Sequence, residues 1–136
     1  MKIGVDIHGV IDKFPELFSF LTRRWTEKHE VHIITGQERS IVEPKLEKFG
    51  IAYNYIYSIV DYHISVGTKM WKDDKRGAGW WLDKDDWIRS KGNYALDTKI
   101  DIHFDDEVAY ARFFPQTTTV ILVRDNFDVN FVNMIK

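Results

Sequence analysis

Asp6 closes a short apolar run, Ile3-Gly4-Val5, and opens the segment Asp6-Ile7-His8-Gly9-Val10-Ile11-Asp12. A second acidic site, Asp105-Asp106, closes another apolar run near the far end of the chain. Thr35-Gly36 closes a third, Val31-His32-Ile33-Ile34. In α/β proteins ligands bind outside the carboxyl ends of parallel strands, so polar residues at strand ends are placed for chemistry. Carboxylates from two such ends are hard oxygen donors of the kind that hold Mg²⁺. Each feature also has an ordinary structural reading. An Asp after a strand makes a turn, Thr-Gly is a common turn, and Asp-Asp before a helix is a good cap favoured by the helix dipole. The functional reading is carried by their joint occurrence at three strand ends.

The elements that must position these residues follow from periodicity. Ile3 to Val5 reads as a buried strand. Phe14, Leu17, Phe18, Leu21 and Trp25 recur at three- and four-residue steps, predicting a helix with Pro15 in its first turn. A second strand covers Val31 to Ile34. A helix follows with Ile41, Leu46 and Phe49 inward, Pro44 near its start and Gly50 as its stop. Tyr55 to Val60, Ile100 to Phe104 and Thr118 to Val123 complete the set of strands. Asp83 is placed to cap a helix over Lys84 to about Leu96, with Trp87 and Ile88 inward. A last helix starts near Asp128, with Phe127, Phe131 and Ile135 on one face. Strands alternating with helices predict a parallel α/β sheet. Residues 1–136 read as a single domain, with an irregular insertion at about 61–83. That insertion holds the charged cluster Lys69, Lys72, Asp73, Asp74, Lys75 and Arg76, then Gly77-Ala78-Gly79 and Trp80-Trp81.

Composition narrows the function. An apolar fraction of 44% and 15% aromatics are ample for a packed core and argue against disorder. A formal net charge of −2 gives no broad electrostatic footprint for nucleic acid or an anionic membrane. Cysteine is absent, which removes thiolate chemistry and disulfides. The N-terminus meets a charge too early for a signal peptide, and no apolar run approaches the roughly 20 residues that span a bilayer. A cytoplasmic protein is the expectation.

Asp6, Thr35, a lysine and Asp105-Asp106 fall in the order that marks one superfamily. The chain resembles the haloacid dehalogenase-like (HAD) phosphatases over Met1 to about Phe114. Their first motif, Asp-x-Asp-Gly after strand 1, is matched by Asp6-Ile7-His8-Gly9; their second, a Ser or Thr after strand 2, by Ile33-Ile34-Thr35-Gly36. The acidic pair after strand 4 is matched by His103-Phe104-Asp105-Asp106-Glu107. Lys91, in Lys91-Gly92-Asn93-Tyr94, looks like the lysine that precedes strand 4. The resemblance implies a three-layer α/β sandwich with a five-stranded parallel Rossmann-like sheet, order 3-2-1-4-5. Most of the stretch between Asp6 and Thr35 is predicted helix, which leaves no room for the cap domain that many relatives insert there. The chain is expected to be capless, with an open site that oligomerisation could cover.

By the same resemblance, Asp6 is the nucleophile that forms an aspartyl-phosphate. Mg²⁺ would be held by the Asp6 carboxylate, the His8 backbone carbonyl, Asp105 and, through water, Asp106. Thr35, Gly36 and Lys91 would bind the phosphoryl group. His8 is the departure, because most relatives carry Asp there as general acid and base. Histidine can do the same proton transfer, and a packed or solvated ring with no catalytic part is the other reading. Trp71, Trp80, Trp81 and Trp87 read as core or lid packing, with Trp80-Trp81 beside Gly77 and Gly79 as a flap over the site. His29, His32, His63 and His103 lack metal-ligand spacing, and His103 is expected to alternate out of its strand. The expected activity is Mg²⁺-dependent hydrolysis of a nucleotide or another small phosphorylated metabolite. Phosphotransfer to another hydroxyl, or a non-catalytic binding domain of the same fold, are the alternatives.

Overall fold

The structure is a computed structural model that describes residues 1–73, 75 and 79–136. β1 (Lys2–Val5), β2 (Glu30–Thr35), β3 (Tyr55–Ser58), β6 (Ile102–Asp105) and β7 (Thr119–Leu122) form one five-stranded sheet in the order β3-β2-β1-β6-β7. Every pairing in it is parallel. The inner strands are buried on both faces because helices cover both, as parallel sheets require. On one side α1 (Pro15–Trp25), α2 (Arg39–Phe49) and α6 (Phe127–Ile135) pack Phe18, Leu21, Val42, Leu46 and Phe127 onto Ile3, Val5, Ile33 and Phe104. Aromatic rings dominate there: Phe18 stacks on Phe127 at 5.9 Å and Trp25 on Phe104 at 5.4 Å. On the other side α3 (Ile59–Ser65) and α4 (Lys84–Thr98) bury Ile59, Val60, Trp87 and Ala95 against Ile34 and Tyr57. The result is a Rossmann-like α/β sandwich. No helix among the described residues is long and apolar enough to cross a membrane.

Several expectations change in detail. Tyr55 to Val60 is not one strand: β3 stops at Ser58, whose hydroxyl accepts the Asp61 N–H at 3.1 Å and starts α3. In α2 the inward residue of the first turns is Val42, while Ile41 is 42% exposed. Pro44 lies inside that helix rather than near its start, and Gly50 ends it at φ 67°. Ile135 is exposed at the end of α6, so the apolar face rests on Phe127 and Phe131. His103 does not alternate out of its strand. It is fully buried, because both faces of β6 are covered.

The stretch expected to be irregular is ordered where it is described. It holds most of α3 and an antiparallel pair, β4 (Met70–Lys72) and β5 (Trp80–Leu82). Two contacts pin that pair to the domain: Leu82 is fully buried, and Trp81 stacks on Trp87 of α4 at 4.6 Å. The Gly77 and Ala78 part of the expected flap, with Asp74 and Arg76 of the charged cluster, lies outside the described residues. Asp83 caps α4 as expected, accepting the N–H groups of Asp85 and Asp86. A short α5 (Val108–Ala111) follows β6.

Candidate functional site

Register decides which residues meet. β1 sits at the centre of the sheet between β2 and β6, so the residues after these three strands share one end of it. Val5 pairs with Phe104, and the Asp6 N–H donates to the Phe104 carbonyl at 3.0 Å. Asp6 therefore emerges beside Asp105. Val5 also pairs with Ile33, which brings Thr35 to the other flank. α4 crosses above and inserts Lys91 between the two acids. Its Nζ lies 3.2 Å from Asp6 Oδ2 and 3.0 Å from Asp105 Oδ2.

Asp6, His8, Thr35, Gly36, Lys91 and Asp106 line a single cleft of about 360 Å³. Asp105 lies fully buried next to it. The residues put forward as catalytic, phosphate-binding or metal-holding thus lie together at one end of the sheet. Larger grooves of about 670 and 600 Å³ run along α1, but the cleft is where buried charges converge.

The loop after Asp6 closes as a single wide turn, with the Asp12 N–H on the Ile7 carbonyl at 3.1 Å. Gly9 makes it possible. Its φ is +75°, and a Cβ there would stand 2.0 Å from Asp106 Oδ2. The turn leaves the His8 imidazole 92% exposed, with Nδ1 3.3 Å from Asp12 Oδ2. Asp12 Oδ1 accepts the Gly9 N–H at 2.8 Å, so Asp12 ties the turn and the imidazole together.

The charges are strongly perturbed. Burial pushes the Asp6 carboxyl up; Lys91 opposes this and Asp105 adds to it, leaving it at about 7. Burial also disfavours the Lys91 ammonium, but Asp6 and Asp105 together outweigh it and hold Lys91 above the ordinary lysine value. For Asp105 burial acts upward, yet Lys91 and His103 prevail and keep it well below the usual carboxylate range. Asp106 is raised by burial and by Asp105.

His103 is the residue that sequence reasoning misplaced. Its Nε2 lies 2.9 Å from Asp105 Oδ2, and its ring stacks on Phe114 at 4.6 Å. Burial lowers its pKa while the Asp105 hydrogen bond opposes, and against the Asp105 carboxylate Nε2 takes the donor role. Among the described residues Nδ1 has no hydrogen-bond partner; a Cβ on Gly4 would stand 2.6 Å from it. Asp105 is thereby fixed on both oxygens, because Oδ1 accepts the Glu107 N–H at 3.0 Å. Tyr110 was also unforeseen. Lys91 Nζ lies 4.2 Å from its ring centroid, and its hydroxyl accepts the Trp87 Nε1–H at 2.7 Å.

Carboxylate oxygens of Asp6, Asp105 and Asp106 lie within 4.8 Å of one another. These are hard donors, and three carboxylates against one ammonium leave excess negative charge. Both features fit a divalent cation with oxygen preference. Neither a protein-family model nor a curated protein sequence matches the chain.

Proposed function

We propose that this cleft hydrolyses phosphomonoesters with Mg²⁺, through an aspartyl-phosphate on Asp6, in the manner of a capless HAD-like phosphatase. The observation that carries the reading is the Asp6–Lys91–Asp105 cluster. It joins a nucleophilic carboxylate, a buried cation and a second carboxylate at the carboxyl ends of two neighbouring strands. Thr35 lines the same cleft from the next strand.

In this mechanism Lys91 and Thr35 orient the phosphoryl group, and the Lys91 charge offsets its repulsion with Asp6. One Asp6 oxygen attacks phosphorus. The P–O bond to the leaving group breaks, and His8 gives that oxygen a proton. Water then attacks the acyl phosphate, His8 takes its proton, and phosphate departs with Asp6 restored. Asp12 bears on the His8 tautomer: a neutral ring with its proton on Nδ1, towards Asp12, keeps its lone pair on Nε2. The Asp6, Asp105 and Asp106 carboxylates, with the His8 carbonyl, would hold Mg²⁺. When bound, it supplies charge neutralisation on the phosphoryl oxygens. A nucleotide or another small phosphorylated metabolite is the proposed substrate.

Trapping tests the covalent step. The protein is incubated with Mg²⁺ and acetyl phosphate or p-nitrophenyl phosphate, quenched, and reduced with borohydride. An aspartyl-phosphate becomes homoserine, and peptide mass spectrometry should place it at position 6. Phosphoryl transfer to a different residue would contradict the mechanism.

A further inference from the structure

Beside the catalytic cleft lies a second depression of about 360 Å³, lined by Trp81, Lys84, Trp87, Ile88, Glu107 and Tyr110. The two share Trp87, Glu107 and Tyr110 as lining residues, so they adjoin. We propose, resting on the phosphatase reading of the cleft, that this depression receives a planar aromatic ring carried by the leaving group of the substrate.

Three observations lead there. First, position: the Tyr110 ring that borders the depression also lies 4.2 Å from Lys91 Nζ. A phosphoryl group held by Lys91 thus has the depression as its neighbouring volume. Second, chemistry: three of the six lining residues are aromatic and a fourth is isoleucine. Against such a wall a polyol loses hydrogen bonds to water with little return, whereas a flat ring gains stacking and apolar burial. Lys84 and Glu107 add one donor and one acceptor for polar ring substituents. Third, preorganisation: Trp87 is 7% exposed and held by its hydrogen bond to Tyr110. Trp81 stacks on it from β5, which the buried Leu82 anchors. Walls already fixed before binding lose little entropy on taking a ligand. The β4–β5 pair thus contributes ring recognition.

The shared chemistry is a phosphomonoester bearing a flat ring. A nucleoside monophosphate holds the ring one sugar away from phosphorus, and an aryl phosphate bonds it directly to the ester oxygen. Binding separates them without turnover. Asp6→Asn protein with Mg²⁺ is titrated calorimetrically with a nucleoside 5′-monophosphate, phenyl phosphate and ribose 5-phosphate. At least one ring ligand should bind about tenfold more tightly than ribose 5-phosphate. Which ring ligand gains more identifies the spacing. In the same background Trp81→Leu should remove about tenfold from the ring ligand and less than twofold from ribose 5-phosphate, and Trp81→Phe should restore most of it. Thermal unfolding verifies that the Leu variant is folded. If it is not, the comparison of the three ligands on Asp6→Asn alone still decides. Equal binding of ribose 5-phosphate and both ring ligands, equal loss for all in Trp81→Leu, or no binding of any, would overturn the proposal. Ring-selective binding without hydrolysis by the wild type would contradict the phosphatase reading and leave this one standing.

Discussion

Replacing Asp6 with Asn should stabilise the metal-free protein, and the size of the gain should depend on pH in a defined direction. Burial pushes the Asp6 carboxyl up to about 7 in the folded chain, against 3.8 for an exposed aspartate. Between those values the folded state keeps a proton that the unfolded state has released. Wild-type stability from this group is therefore complete below about pH 4 and is lost as pH rises through about 7. Holding that proton across the interval is worth at most about 4 kcal/mol. Asn has no proton to lose, so Asp6→Asn should exceed wild type by up to about 4 kcal/mol at pH 8. Less than half of that gain should remain at pH 5. Urea unfolding in EDTA at the two pH values measures it directly. An Asp6→Asn protein less stable than wild type at pH 8 would refute the reasoning, because it would mean that Lys91 outweighs burial. Asp105 works in the opposite sense: its lowered pKa gives stability above about 3.8 that is lost on acidification.

Other changes follow from the same contacts. Lys91→Met removes the ammonium that lies within salt-bridge distance of both Asp6 and Asp105 and should cost about 3–5 kcal/mol at pH 8. That loss should shrink towards pH 5 as Asp6 takes up a proton, as urea unfolding at both pH values would reveal. His103→Phe keeps the stack on Phe114 but deletes the donor to Asp105. It should weaken Mg²⁺ binding by calorimetry about tenfold, with His103→Gln intermediate. Gly92→Ala would place a Cβ 2.1 Å from the Phe113 carbonyl oxygen. It should lower the melting temperature by an amount equivalent to about 1–3 kcal/mol, although Ala is the better helix former by about 1 kcal/mol.

The parts of the site that were legible in the sequence are those with a strand-end signature. Asp6, Thr35 and Asp105 each follow an apolar run and precede a turn or cap, and parallel register brings such ends together. Lys91 was legible through the resemblance, as the lysine that precedes the strand ending in the acidic pair. His103 was misread through period-two alternation alone. It stands two residues before Asp105, and residues i and i+2 share a face of a strand. Once Asp105 points under Lys91, His103 must lie beneath α4 as well. Ser58 carried a similar unused signal: Ser58 and Asp61 have the spacing of a helix start, which cuts the apparent strand Tyr55 to Val60 in two. The β4–β5 pair had no comparable signal. Its strands are three residues long, and the contacts that fix it, Trp81 on Trp87 and the burial of Leu82, are made only in the folded domain. The Asp12 partner of His8 was hidden for a related reason: the wide turn that joins them depends on the backbone of Gly9.

Phosphate release from a panel of phosphomonoesters, with Mg²⁺ and with EDTA, tests the central claim most directly when wild type and Asp6→Asn are compared. The account predicts release that requires Mg²⁺ and disappears in Asp6→Asn. Release that persists in Asp6→Asn, or silence of the wild type across the panel from pH 5 to 8, would contradict it.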